Sequence, residues 1–123
     1  MDVLLPKVSN LPVVGWAMRA KLDQVLESGC RVWLTPPPFD HTKLMVVDGV
    51  WALFGSGNWD PRSFRLNFEF NVEAYDAALG DRLERLVREK TRAAEPLTVR
   101  QLRARPLAEQ LRDGVAWLFS PYL

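Results

Sequence analysis

The 123-residue sequence predicts an α/β fold, a mixed β-sheet flanked by helices. Three stretches carry that prediction. The first 34 residues read strand, helix, strand; Asp48-Gly49 separates two apolar runs; and Asp81 to Ala94 is amphipathic at a helical period.

Val3-Leu4-Leu5, closed by Pro6, reads as a short buried strand. Ser9 or Asn10 can cap a helix entered through Pro12, with Val14, Met18, Leu22 and Val25 along one face and Gly29 as its stop. Arg31 to Leu34 is a second strand, so the opening is β-α-β, the unit of a parallel sheet. Pro36, Pro37 and Pro38 then form a stiff extended spacer that delivers the chain to Phe39.

In the stretch FDHTKLMVVDGVWALFGSGNWD, Asp48-Gly49 is a strong hairpin signal. Pairing Val47 with Val50 sets Met45 opposite Ala52, Lys43 opposite Phe54 and His41 opposite Ser56. Side chains alternate along a strand, so this register puts His41, Lys43, Ser56 and Asn58 on one face at the open end of the ribbon. Around them the hairpin is apolar on both faces, as in a covered sheet. A polar cluster in such a place calls for compensation or a ligand.

Lys43 supplies a cation, Asn58 an amide donor and Ser56 a hydroxyl, while Gly55 and Gly57 allow close backbone approach. Together they suit a phosphate. His41, the only histidine, is either nucleophile or proton carrier beside it. In-line displacement at a phosphodiester also needs an acid on the far side of phosphorus, and this chain has no second imidazole to provide one.

Composition narrows the function classes. With 48% hydrophobic and 25% charged residues the chain can bury a modest core and is not a disordered tail. A net charge of +1 gives no electrostatic footprint of a dedicated nucleic-acid binder, and the five tryptophans do not alternate with basic residues, so nucleic acid is an unlikely partner. The basic excess lies late: residues 1–80 carry 7 Lys/Arg against 9 Asp/Glu, residues 81–123 carry 9 against 6. Cys30 stands alone, which rules out an internal disulfide and reads as a small buried hydrophobe. No apolar run is long enough to cross a bilayer.

His41-Thr-Lys43, four residues, Asp48, six residues, then Gly55-Ser56-Gly57-Asn58 matches the HxKxxxxDxxxxxxGSxN signature of the phospholipase D superfamily without a spacing error. The chain resembles that superfamily. PPPFDHTKLMVVDG, GNWDPRSFRLNFEFN and LFSPYL resemble the carboxy-terminal half of bacterial cardiolipin synthases, strongly over residues 36–75 and loosely elsewhere. The resemblance implies a single phospholipase D-type half-module at residues 1–95, with a C-terminal helical extension at 96–123.

It also implies a chemistry: phosphatidyl transfer through a phosphohistidine, without cofactor or metal. The implied catalytic residues are His41, Lys43, Asp48, Asn58 and Glu69, with Lys43, Ser56 and Asn58 holding phosphate and Glu69 orienting the imidazole. Asp48 falls at the hairpin tip, where an Asp-Gly turn gives it a structural duty. Family sites join two copies of the motif, and this chain has one. The second copy is expected from a missing N-terminal half or from a homodimer mate. The alternatives are a homodimeric phosphodiesterase or nuclease of the single-motif type, and an inactive orphan half. The implied substrate is a phosphatidylglycerol-like phospholipid met peripherally at the cytoplasmic face of the inner membrane.

Arg62 and Arg65 read equally as phosphate contacts or as solvated charges. Asp81 to Ala94, with Leu83, Leu86, Val87 and Lys90 near one face, predicts a helix covering the sheet. Pro96 ends it, Thr98 can cap a short helix, and Pro106 to Phe119 gives a last one. That last segment reads either as a docking helix or as a lipid contact through Trp117, Phe119 and Tyr122 beside Arg103, Arg105 and Arg112.

Overall fold

The structure is a computed structural model that describes every residue except Trp59 and Leu123, and all side chains but those two and Pro61, Arg62 and Phe64. The order along the chain is β1 (Asp2–Pro6), α1 (Pro12–Arg19), α2 (Leu22–Glu27), β2 (Arg31–Thr35), β3 (Leu44–Val47), β4 (Trp51–Gly55), α3 (Pro61–Leu66), β5 (Asn71–Tyr75), α4 (Ala77–Arg92), β6 (Glu95–Leu97), α5 (Val99–Arg103) and α6 (Leu107–Leu118), followed by a 3-10 turn at Ser120–Tyr122. This is the expected α/β class, with its strands divided between two three-stranded sheets. The chain forms two compact units, residues 1–40 with 93–123 and residues 41–92.

In the first unit β1 and β2 pair in parallel from Asp2 opposite Arg31 to Pro6 opposite Thr35, as the β-α-β reading requires. Strand β6 adds antiparallel on the other side of β2, giving a mixed sheet. It was not foreseen, because Pro96 marks the end of the preceding helix; Pro is tolerated there because β6 is an edge strand. The expected helix from Pro12 to Gly29 is two helices turning at Ala20-Lys21. The break lets each half reach its own partner, α1 packing on α6 and α2 on α5. Gly15, Ala17 and Leu22 are buried there, whereas Val14 is exposed. The proline segment bends at Pro37 and Pro38 rather than running straight. Thr98 caps α5 through a capping box with Gln101, as its sequence position suggested.

Helix α6 is built in an unexpected sense. Its inner face buries Asp113, 0% exposed, whose carboxylate is bonded by Arg105 and Arg112. Its outer face carries Leu107, Leu111, Val115 and Leu118, spaced at roughly one turn and all exposed.

In the second unit β3, β4 and β5 form an antiparallel meander. The turn forms as predicted: Asp48 (φ 53°) and Gly49 (φ 64°) are both left-handed, and the Val50 N–H donates to the Val47 carbonyl at 3.2 Å. The register does not. Val47 pairs with Trp51, Val46 with Ala52, Met45 with Leu53 and Leu44 with Phe54, one residue out from the expected pairing. Val50 is the extra residue, left out of the β3–β4 ladder while its carbonyl accepts the N–H of Asp76 at 3.0 Å where β5 ends. A third strand, invisible in the two-stranded reading, thereby sets the register of the first two.

Helix α4 lies on β3 and β4, the sheet-covering role its amphipathic pattern predicts. It starts a turn before the expected Asp81, because Asp76 caps it through the N–H of Leu79 at 2.8 Å. Gly80 is buried where α4 crosses the hairpin turn, and a Cβ there would overlap the Gly49 carbonyl. Gly80→Ala is therefore expected to destabilise the chain by about 1–3 kcal/mol. Gly114→Ala, on α6 with open space around it, is expected to stabilise by about 0.4–1 kcal/mol. Denaturant unfolding of both variants measures the contrast, and equal effects would remove the packing argument.

Candidate functional site

The hairpin's open end, β5 and the segment after α3 come together in the second unit. Lys43 stands just before β3 and its carbonyl accepts the Gly55 N–H at 3.3 Å, the last rung between the two strands. With Lys43 opposite Gly55, pleat alternation no longer places Ser56 beside it, so the expectation that His41 faces Ser56 across the ladder is corrected. What places Ser56 is the chain at residues 69–71.

Gly55 has no room for a side chain, since a Cβ would collide with the Phe70 carbonyl and with Asn71. That close approach allows the Ser56 N–H to donate to the Phe70 carbonyl at 3.0 Å and the Phe70 N–H to donate to Ser56 Oγ at 2.9 Å. The Ser56 hydroxyl then donates to Glu69 Oε2 at 2.6 Å, a short charge-assisted bond. Gly57 is buried, its N–H on Asn71 Oδ1 at 3.3 Å, and Asn58 follows it exposed.

Lys43 is half-buried. Its ammonium donates to the His41 carbonyl at 2.9 Å and feels the Glu69 carboxylate. Burial lowers its pKa below the ordinary lysine value, and the Glu69 charge opposes that shift. The structure thus joins Lys43, Ser56 and Glu69 around one carboxylate, with exposed His41 two residues before Lys43. Asp48 is not part of this group. It occupies the tip at the other end of β3, in the left-handed conformation that Asp tolerates. Arg65 is exposed, and the side chain of Arg62 lies outside the described residues.

Glu69 has a further partner that the sequence reading did not single out. Asn67 Nδ2 donates to Glu69 Oε1 at 3.2 Å and to Ser63 Oγ at 3.4 Å. Ser63 is buried at the start of α3, bonded through its N–H and hydroxyl to the capping carboxylate of Asp60. Asp60-Pro61, an N-cap followed by proline at the first helical position, was the available signal for this short helix. Among the described residues no group of three or more His, Cys, Asp and Glu side chains is placed to hold a metal ion, and no helix is long and apolar enough to cross a membrane.

Such an arrangement can bind a tetrahedral anion. A partly desolvated ammonium attracts it, the Asn58 amide and Ser56 hydroxyl can hydrogen-bond it, and the carboxylate favours the charged form of the cation. Glu69→Gln is expected to move the Lys43 titration to lower pH, because it deletes the one charge that favours the ammonium form. Heteronuclear NMR of the lysine Cε signals, assigned with Lys43→Met, reads that shift; an unmoved or raised midpoint would deny the pairing.

The family model for the phospholipase D-like domain of cardiolipin synthase matches residues 1–90. Among curated proteins the chain is similar to a cardiolipin synthase of Geobacillus sp. (strain WCH70), 34% identical over 98% of this chain and 24% of the relative. It is also similar to the major cardiolipin synthase ClsA of Bacillus subtilis (strain 168), 32% identical over 100% of this chain and 26% of the relative. Cardiolipin synthase 1 of Staphylococcus epidermidis is 31% identical over 100% of this chain and 25% of its own length. The chain spans about a quarter of the length of these relatives.

Proposed function

The chain belongs to the phospholipase D-like domain family of cardiolipin synthases, and from that premise we propose that it supplies one half of a two-motif phosphatidyltransferase site. The observation that carries the reading is the Glu69 carboxylate, which accepts the Ser56 hydroxyl and acts through space on the Lys43 ammonium, Lys43 standing two residues along from the only histidine of the chain.

In the first step His41 attacks the phosphorus of a phosphatidylglycerol-like donor. The imidazole N–P bond forms, the bond to the departing alcohol breaks, and that alcohol takes a proton from an imidazole of the second motif. In the return step the hydroxyl of another lipid or polyol attacks phosphorus, gives its proton to that second imidazole, and the N–P bond breaks. Lys43 and Asn58 stabilise the charge that builds on the non-bridging oxygens. Phosphate binding draws the Ser56 hydroxyl from Glu69 Oε2, which leaves that oxygen to accept the imidazole N–H and fix the tautomer. The second motif comes from the remainder of a longer enzyme or from a second copy of this chain. In the mirrored assignment His41 is the acid and base and the other imidazole the nucleophile.

A phospholipid substrate also requires a place to meet the bilayer, peripherally and at the cytoplasmic face. The outward stripe Leu107, Leu111, Val115 and Leu118 on α6 supports that contact, as do the exposed Phe119 and Tyr122 named from sequence. Of the other residues named from sequence, Arg105 and Arg112 are bonded to Asp113, Arg103 pairs with Glu27, and the Trp117 ring lies under the Lys21 ammonium.

Acid-labile labelling from phosphate-labelled phosphatidylglycerol, with the amino-terminal half of a cardiolipin synthase supplied, tests the chemistry. Wild type is expected to label and His41→Asn to lose the label at least about 100-fold. Equal labelling, or none in either, would overturn the nucleophile. For the membrane contact, Leu111→Glu with Leu118→Glu should weaken sedimentation with phosphatidylglycerol vesicles about tenfold or more, since each leucine withdrawn from water contributes about 1.5–3 kcal/mol. Wild-type chain that stays in the supernatant at low salt would sink it.

A further inference from the structure

We propose that Asn67 is a positioning residue that clamps the Glu69 carboxylate, and that α3 with its Asp60 cap is the mount for that clamp. The proposal rests on the reading of Glu69 as part of the site and adds how its orientation is held.

Glu69 is half-buried and receives a donor on each oxygen, Ser56 on Oε2 and Asn67 on Oε1. The two donors are not equivalent. Ser56 belongs to the loop that faces the anion, so its hydroxyl is the one a bound phosphate competes for. Asn67 sits behind. Its single amide nitrogen uses both hydrogens, one on Glu69 Oε1 and one on Ser63 Oγ. Turned the other way, the amide would set its carbonyl oxygen against a carboxylate oxygen and a hydroxyl whose hydrogen already goes to Asp60, which fixes the orientation.

Ser63 is itself immobilised: 4% exposed, its N–H bonded to Asp60 Oδ1 at 2.8 Å and its hydroxyl to Asp60 Oδ2 at 3.3 Å. A continuous run of hydrogen bonds thus leads from the helix cap to the carboxylate: Asp60, Ser63, Asn67, Glu69. Asn67 ends α3 in extended conformation (φ −96°, ψ 144°), and residues two apart in an extended chain lie on one side, so Asn67 and Glu69 meet. When substrate draws the Ser56 hydroxyl away, Asn67 keeps the carboxylate from swinging. Leucine at this exposed position removes the donor, and aspartate would set a second negative charge against the first.

The test uses the whole chain, without substrate, and reads the Lys43 titration by NMR. Asn67→Leu is expected to move the midpoint to lower pH, because an unclamped Glu69 spends less time beside the ammonium. In a Glu69→Gln background the same substitution is expected to leave Lys43 unmoved, a coupling that a merely structural role would not show. Should Asn67→Leu fail to fold by circular dichroism, Ser63→Ala loosens the clamp from behind and carries the same expectation with a smaller shift. An unchanged midpoint in the folded variant, or the same shift with and without the Glu69 carboxylate, would overturn the proposal. With the amino-terminal half of a cardiolipin synthase supplied, Asn67→Leu should lower His41 labelling about 10- to 100-fold, the usual cost of losing an orienting partner. A failure of labelling in wild type would count against the phosphohistidine reading and leave the Lys43 result intact.

Discussion

The site depends on one close approach, the passage of β4 against residues 70 and 71 at Gly55. Any side chain at Gly55 would strike the Phe70 carbonyl, so the two segments meet backbone to backbone. Only at that separation can Ser56 and Phe70 exchange hydrogen bonds, and only then does the Ser56 hydroxyl reach Glu69. A glycine that looks like a loop residue in the motif is therefore the condition for assembling the carboxylate with the cation. The interactions around Glu69 follow from that contact.

Electrostatics explains why a carboxylate belongs here at all. Burial disfavours the charged form of Lys43, and an ammonium that titrated away would no longer attract an anion. Glu69 opposes that loss. It also introduces a negative charge near the proposed phosphate position, which is unfavourable unless the carboxylate is turned so that its charge falls on Lys43 rather than on the ligand. Orientation thus matters as much as presence. Two donors, Ser56 on Oε2 and Asn67 on Oε1, supply it.

The sequence made the chemistry legible before the geometry. Motif spacing named His41, Lys43, Asp48, Ser56 and Asn58, and the family resemblance added Glu69; all six fall in the unit of residues 41–92, where Ser56 bonds Glu69, whose charge acts on Lys43, and Asp48 stands apart at the hairpin tip. The register was not legible, because Val50 is drawn out of the ladder by Asp76, a residue 26 positions later whose role depends on β5 existing. Strand β5 itself is five residues with only Val72 and Ala74 turned inward, too short an alternation to stand out. Asn67 escaped notice for a related reason: its importance lies in two hydrogen bonds made across a helix end, and neither composition nor period records them. The last helix forms where its sequence predicts, and the structure adds which side faces in. Apolar residues predict a stripe, but a salt-bridged Asp113 claims the inner face.

The distribution of hydrogen bonds bears on how a single imidazole can serve. The fold fixes the groups that handle charge: Lys43 by the His41 carbonyl and Glu69, Ser56 by Phe70, Glu69 by Asn67. His41 itself stays exposed at the start of the hairpin. In the proposed transfer a phosphoryl group reaches the imidazole from solvent or membrane and leaves again, which exposure there allows, whereas exposure of the ammonium would dilute its field. In-line displacement adds a directional constraint, because attack and departure occupy opposite sides of phosphorus. A rigid cradle beneath one exposed imidazole can organise only the near side. In the proposed transfer the far side is left to a second group with its own cradle, for which a second copy of the same motif is the symmetrical solution.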